Sequence, residues 1–185
     1  METYDPAKVG TRIAWGRSHS VYHYGDHEVI RFPRAESWMW KQNLLEHFEH
    51  EIALFKEYFG EYVLDTRVAQ EPGTHRIVTI QPYITGHYLS KSDLQDVAIR
   101  RQFDDFMSRY DALVRDGHGQ IDLVGQGGIT RRCLSNIIIQ QDKKLRLFDA
   151  KSWELDGQRR LLAVRSLIKT IALWKQNSTL QYLRN

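Results

Sequence analysis

The chain has 185 residues, 42% of them hydrophobic, including 5 Trp, 9 Tyr and 7 Phe, which is enough for one cored domain or two small lobes. Lys and Arg number 26 against 23 Asp and Glu, a formal net charge of +3; this mild excess permits phosphate-rich ligands without arguing for nucleic acid. A single cysteine, Cys133, excludes an internal disulfide and a multi-Cys metal site. No run of about 18 apolar residues offers a membrane span. The opening Met1-Glu2-Thr3-Tyr4-Asp5 lacks the basic flank and apolar core of a secretory signal. A reducing cytoplasm is the expected location, although an effector exported by a signal-less route would have the same composition.

Residues 9 to 32 read as three strands: Val9 to Trp15, Ser20 to Tyr24 and Val29 to Phe32. Gly25-Asp26 supplies the turn between the last two, and Pro33, with no N–H to donate, ends the third. Residues 36 to 59 read as a long helix, with Leu44, Leu45, Phe48, Ile52, Phe55 and Phe59 on one face and Gly60 as its stop. Tyr62-Val63-Leu64 and His75 to Gln81 read as two more strands about the turn Glu71-Pro72-Gly73-Thr74. Gln81 to Gly86 is a connector without periodicity.

A second helix is expected from Ser92, where Ser92-Asp93-Leu94-Gln95 resembles a capping box, to Gly117, with Leu94, Val97, Phe103, Phe106, Met107, Tyr110, Leu113 and Val114 as its apolar face. A last helix is expected over Gln158 to Lys175. Between them lies the most informative stretch. Asn136 leads into Ile137-Ile138-Ile139, Gln141-Asp142-Lys143-Lys144 reverses the chain, and Leu145 to Phe148 delivers Asp149, 13 positions after the Asn. Two short strands joined by a tight turn bring both ends together. An amide oxygen beside a carboxylate is a pair of hard ligands suited to Mg²⁺.

The order of these elements resembles the protein-kinase-like fold. The Asn136–Asp149 hairpin resembles the catalytic-loop Asn followed by the metal-binding Asp of the D-F-G segment. Gly16-Arg17-Ser18-His19-Ser20-Val21 resembles the second half of a glycine-rich loop, and Val29-Ile30-Arg31-Phe32 resembles the V-A-I-K strand. The resemblance implies an α+β, two-lobe fold of one kinase-like domain. Residues 1–84 would form an antiparallel-sheet N-lobe with one long helix, and residues 85–185 an abbreviated helical C-lobe. In length and layout the chain resembles the compact bacterial PhoP-regulatory-network family.

The same resemblance implies ATP and Mg²⁺ as cofactors, with Asn136 and Asp149 as metal ligands. Gly16, Ser18, Ser20 and Arg31 would hold phosphates, and Ile80 would lie near the base. Arg31 stands where the pattern has Lys; Arg is a permanent cation, yet its planar fork is larger and not interchangeable with Lys. Arg34 is an alternative. Glu51 would orient Arg31 from the long helix, with Glu46 and Glu49 as competitors for that role. His47 and His50 share that helix, and no third distant metal ligand accompanies them.

Arg131 lies five residues before Asn136, where H-R-D-x-x-x-x-N has the catalytic Asp. A guanidinium does not accept a proton near neutral pH. Asp122 is the nearest upstream carboxylate and serves if 124–130 loops out, which Gly125-Gln126-Gly127-Gly128 favours; Asp116 and His118 are alternatives. Asp149 is followed by Ala150-Lys151 in place of Phe-Gly. Cys133 reads as a small buried filler.

Three activities fit these residues. The first is transfer of the γ-phosphate of ATP to a protein hydroxyl, favoured by Asn136 and Asp149. The second is a pseudokinase that regulates a protein partner, favoured by Arg31, Arg131 and Ala150-Lys151. The third is a small-molecule phosphotransferase, disfavoured by the short C-terminal lobe. The basic clusters Arg131-Arg132, Lys143-Lys144-Arg146 and Arg159-Arg160 read as solvated surface, and no aromatic-basic sheet motif points to RNA.

Overall fold

The computed structural model describes residues 2–15, 19–33, 44–74, 76–125, 132–148 and 162–185. The architecture is α+β. The chain divides into two compact units, one of Met1–Leu54 and Leu64–Ile84, the other of Phe55–Val63 and Thr85–Asn185.

The first unit is built on a five-stranded antiparallel sheet. Its strands are β1 (Val9–Trp15), β2 (His19–Tyr24), β3 (Glu28–Pro33), β4 (Arg67–Gln70) and β5 (Ile77–Pro82), in spatial order β1-β2-β3-β5-β4. The β2–β3 register pairs Val21 with Arg31 and Ser20 with Phe32, and β3–β5 pairs Ile30 with Ile80 and Arg31 with Thr79. Because side chains alternate across a strand, these pairs sort the sheet into two faces. One face carries Tyr24, Ile30, Phe32, Ala69, Val78 and Ile80, closed over by Tyr4. The aromatic edges meet there, Tyr4 to Phe32 at 5.7 Å between ring centroids and Tyr22 to Phe32 at 5.5 Å. The other face carries Val21, Val29, Arg31, Thr79 and Gln81.

The strand expected at Tyr62-Val63-Leu64 does not form. The helix α1 (Leu44–Phe59) ends at Gly60, whose φ of +55° admits a left-handed turn, and Gly60–Tyr62 continues as a 3₁₀ turn. The strand lies further on, in Arg67–Gln70, whose two polar ends hid it in the sequence. Residues 36–43, where the helix was expected to begin, lie outside the described residues, as does His75.

Arg67 anchors this late strand. Its guanidinium grips the Glu28 carboxylate, with Nη2 donating to Oε2 at 2.9 Å. That hydrogen bond first, and the positive charge after it, holds the Glu28 carboxyl below its ordinary range. A depressed folded-state value contributes stability above the unfolded carboxylate's pKa of about 4.3 and loses it as pH falls through the folded value. The pair is partly exposed and screened, so Glu28→Gln should cost only about 0.5 kcal/mol at neutral pH. The gap from wild type, measured by urea denaturation, should close below about pH 4. A gap that persisted at pH 3 would show that Glu28 acts by packing instead.

The second unit holds α2 (Val97–Arg115), α3 (Leu162–Arg184) and a three-stranded sheet of β6 (His87–Leu89), β7 (Leu134–Ile139) and β8 (Leu145–Leu147), in order β6-β7-β8. Phe59 and Phe106, both fully buried, stack at 4.8 Å, and burial of each side chain contributes about 1.5–3 kcal/mol. Tyr62 lies edge-on to Phe106 and donates to Asp105 at 2.9 Å; burial and then that bond push its phenol up to about 12.

Helix α2 starts later than its sequence suggested. Ser92 has helical φ and ψ and caps nothing, its hydroxyl being bonded to Ser90. Asp93–Gln95 is a 3₁₀ turn, and Asp96 is the N-cap, accepting from Ala98 N at 2.9 Å and Ile99 N at 3.3 Å. Val97, expected on the apolar face, is 84% exposed because the helix begins with it, before the buried stripe from Ile99 to Leu113. Helix α3 runs past the expected end at Lys175, since no Gly or Pro intervenes and Leu180 and Leu183 extend the buried stripe. Among the described residues, no helix is long and apolar enough to cross a membrane.

Candidate functional site

Each unit gathers a set of buried polar groups, and the two sets contain most of the described candidate residues. In the first unit they lie on the sheet face opposite the apolar core. Arg31, in the middle of β3, extends Nη1 to within 3.5 Å of Gln81 Oε1. Thr79 and Gln81 on β5 and His19 on β2 are buried. The helix carboxylates are resolved by burial: Glu46 and Glu49 are exposed, whereas Glu51 is 7% exposed, with His47 Nε2 3.4 Å from its Oε2. His19 also meets the ring of Phe48 on α1 at 6.2 Å between centroids. Burying a carboxylate is costly unless charge or hydrogen bonds compensate, and the His47 imidazole on the same helix is one such partner for Glu51.

Ile80 sits elsewhere. It is 1% exposed and packed with Ile30, Phe32 and Val78, on the face away from Arg31. A contact from this side chain to a base would require opening that core. Thr79 and Gln81 are the β5 residues on the Arg31 side. Ser20 is half-buried and pairs with Phe32, which sets it on the apolar face of β2. Gly16, Ser18, Arg34, Arg131, Asp149, Ala150 and Lys151 lie outside the described residues.

In the second unit the polar set is built by backbone. Asn136 occupies the third position of β7 and is 6% exposed. Its Nδ2 donates to the Asp122 carbonyl at 2.7 Å, and its own N–H donates to the Leu123 carbonyl at 3.2 Å. Ser135 Oγ donates to the Val124 carbonyl. The segment 122–124 is thus laced to β7, although 125–133 separates them in sequence. The Asp122 carboxylate is turned back on its own loop, Oδ1 accepting from Gly125 N at 2.8 Å.

Once Nδ2 is committed to a carbonyl, Oδ1 of Asn136 is the remaining polar atom, and no hydrogen bond from the described residues reaches it. Phe148 N donates to the Asn136 carbonyl at 3.1 Å, which ties the residue following β8 to the backbone of Asn136. A hard amide oxygen oriented this way fits Mg²⁺ chemistry. Gly125 makes room for it. Its φ is +59°, and a Cβ there would overlap Asn136 Oδ1 and lie 2.7 Å from Ser135 Oγ.

The competing bases are engaged elsewhere. Tyr58 donates to Asp116 at 2.9 Å, and His118 lies edge-on to the same Tyr58 ring at 5.4 Å. Cys133 is buried. Among the described residues, no group of three His, Cys, Asp or Glu converges as a metal cluster, and His50 is exposed on α1.

Three residues at this site had no place in the sequence reading: Gly125 as a space-maker, Ser135 as a clamp and Gln176 on α3. Gln176 is fully buried and bonds the backbone of Ile121 and Leu123. The available signal was a lone amide on an otherwise apolar helical stripe with Leu180 and Leu183.

No family model matches the chain, and no curated protein does. Among solved structures, the Lpg2603 kinase of Legionella pneumophila bound to IP6 is similar over 92% of this chain, with a TM-score of 0.53 and 16% identity. This chain spans 58% of that one. The class is therefore defined by fold: a protein-kinase-like α+β fold, with a sheet-rich N-terminal region and a helical C-terminal region. At that identity the likeness carries the fold and leaves activity to the site's own chemistry.

Proposed function

We propose that this protein is a minimal kinase-like phosphotransferase that binds ATP with Mg²⁺ and passes the γ-phosphate to a hydroxyl of a protein. The observation that carries the proposal is the Asn136 amide held on the Asp122 carbonyl at 2.7 Å. One side chain thereby orients a hard oxygen for a metal and fixes the carboxylate-bearing residue beside it. Asp149, next after Phe148, is the second metal ligand. Mg²⁺, when bound, would neutralise charge developing on the phosphate oxygens.

The chain's own residues supply the rest. Arg31 contributes a permanent cation for phosphate oxygens, and Glu51 orients it. Gly16 and Ser18 offer loop donors. Asp122 accepts the proton of the acceptor hydroxyl as that oxygen bonds to the γ-phosphorus, and the bond from the γ-phosphorus to the β–γ bridging oxygen breaks to release ADP. The similar Legionella protein is itself described as a kinase. The order of elements resembles the compact PhoP-regulatory-network family.

A pseudokinase reading is favoured by three departures in the sequence: Arg31 at the Lys position of β3, Arg131 at the position of the catalytic Asp, and Ala150-Lys151 after Asp149. The two readings separate in a thermal-shift titration with ATP. A ligand that binds only the folded chain stabilises it by about 2.7 kcal/mol at a hundredfold excess over Kd. The expected result is a shift that needs Mg²⁺ and disappears in Asp149→Ala. An equal response to adenosine and ATP would remove the phosphate contacts. A metal-independent response in both wild type and Asp149→Ala would remove the metal site and leave the pseudokinase.

A further inference from the structure

We infer that Gln176 of α3 is a positioning residue for the Asp122–Asn136 pair, an inference that rests on that pair being the phosphotransfer site. Gln176 is fully buried, and each of its polar atoms is used. Oε1 accepts from Leu123 N at 2.8 Å, while Nε2 donates to the Ile121 carbonyl at 2.9 Å and to the Tyr110 hydroxyl at 3.0 Å. The two backbone partners fix the amide's orientation, since one can only donate and the other only accept.

These two bonds fall on the residues either side of Asp122. The carbonyl of Asp122 then receives Asn136 Nδ2, and the carbonyl of Leu123 receives Asn136 N. Hydrogen bonds and the intervening backbone thus link α3 through 121–123 to the side-chain amide of Asn136. Ile121 and Leu123 are themselves fully buried, so an apolar residue at 176 would leave a backbone N–H and a C=O without partners and without water. The loop would then move to satisfy them and carry Asp122 and Asn136 with it. Gln176 touches neither acceptor nor nucleotide; it acts through the backbone that holds both side chains.

Two variants separate positioning from simple stability. Gln176→Glu keeps an acceptor for Leu123 N and, when ionised, lacks the donor to Ile121. Tyr110→Phe removes the third partner of the amide and leaves both backbone bonds. ATP-dependent stabilisation is measured across a Mg²⁺ series, with single-turnover phosphate transfer alongside. In Gln176→Glu the Mg²⁺ concentration for half-maximal effect should rise tenfold or more and transfer should slow at least tenfold. Binding of ATP without metal should change less than threefold. Tyr110→Phe should lower the melting temperature and leave the Mg²⁺ midpoint where it is.

A Gln176→Glu protein with a lower melting temperature but the wild-type Mg²⁺ midpoint and rate would overturn the inference while the phosphotransfer reading stands. A wild type with no Mg²⁺-dependent response would overturn that reading instead, and this role with it. Should Gln176→Glu not fold, amide exchange in the wild-type chain decides the matter. Leu123 and Asn136 should then open together with one free energy, and separate opening overturns the inference.

Discussion

Replacing Asp122 by Asn is expected to slow phosphoryl transfer about 10²–10⁴-fold, the usual contribution of a positioned general base, while Mg²⁺-dependent ATP binding persists. The substitution isolates one property. Asp122 Oδ1 accepts from Gly125 N at 2.8 Å, and an amide oxygen in the same place can accept that bond. The Asp122 carbonyl, which receives Asn136 Nδ2, is backbone and survives any side chain. The loop and the Asn136 amide should therefore stay in place, and only the capacity to take a proton is lost. Phosphoryl transfer depends largely on positioning and charge stabilisation, so a residual rate is expected. An unchanged rate would dismiss Asp122 as the base. Loss of Mg²⁺-dependent binding would make it a metal or loop residue instead.

The legible and the hidden parts of this chain divide by the range of the interaction. Strands β1 to β3 were readable because their alternation is local and Gly25-Asp26 marks the turn between β2 and β3. Strand β4 was not, because Tyr62-Val63-Leu64 is the more apolar run and only Gly60's left-handed φ diverts it into a 3₁₀ turn. The hairpin carrying Asn136 was readable for the same local reason. Its attachment to Asp122 was not, since that bond joins a side chain to a backbone carbonyl across a glycine-rich stretch without periodicity.

Burial ranks residues that periodicity leaves equal. Glu46, Glu49 and Glu51 look alike in the sequence, and only the fold turns Glu51 inward. Ile80 shows the converse: its neighbours Thr79 and Gln81 share a strand with it and face the other way, a distinction that depends on register with Ile30 and Arg31.

Gly125→Ala should produce the largest effect of any single methyl group at this site. The residue sits at φ +59°, where a left-handed conformation costs a side-chain-bearing residue about 1–2 kcal/mol. The added Cβ would also overlap Asn136 Oδ1, lie 2.7 Å from Ser135 Oγ and 3.0 Å from Asn136 Cγ. Neither neighbour can yield freely. Asn136 is tied to the Asp122 carbonyl and Ser135 to the Val124 carbonyl, and both stand on a strand paired on either side. Overpacking of this kind adds about 1–3 kcal/mol.

Relief by a swing of Asn136 would break its bond to Asp122 and move Oδ1 away from the position proposed for the metal. Gly117→Ala is the matched control. Its φ of +87° imposes comparable backbone strain, with nothing within 4 Å of the new Cβ. The two variants should lose stability to different extents, measured by denaturant midpoint, and Gly125→Ala alone should lose the Mg²⁺-dependent response to ATP. If Gly117→Ala lost that response equally, global destabilisation would account for both. If Gly125→Ala retained it, the space beside Asn136 would have no part in holding the metal.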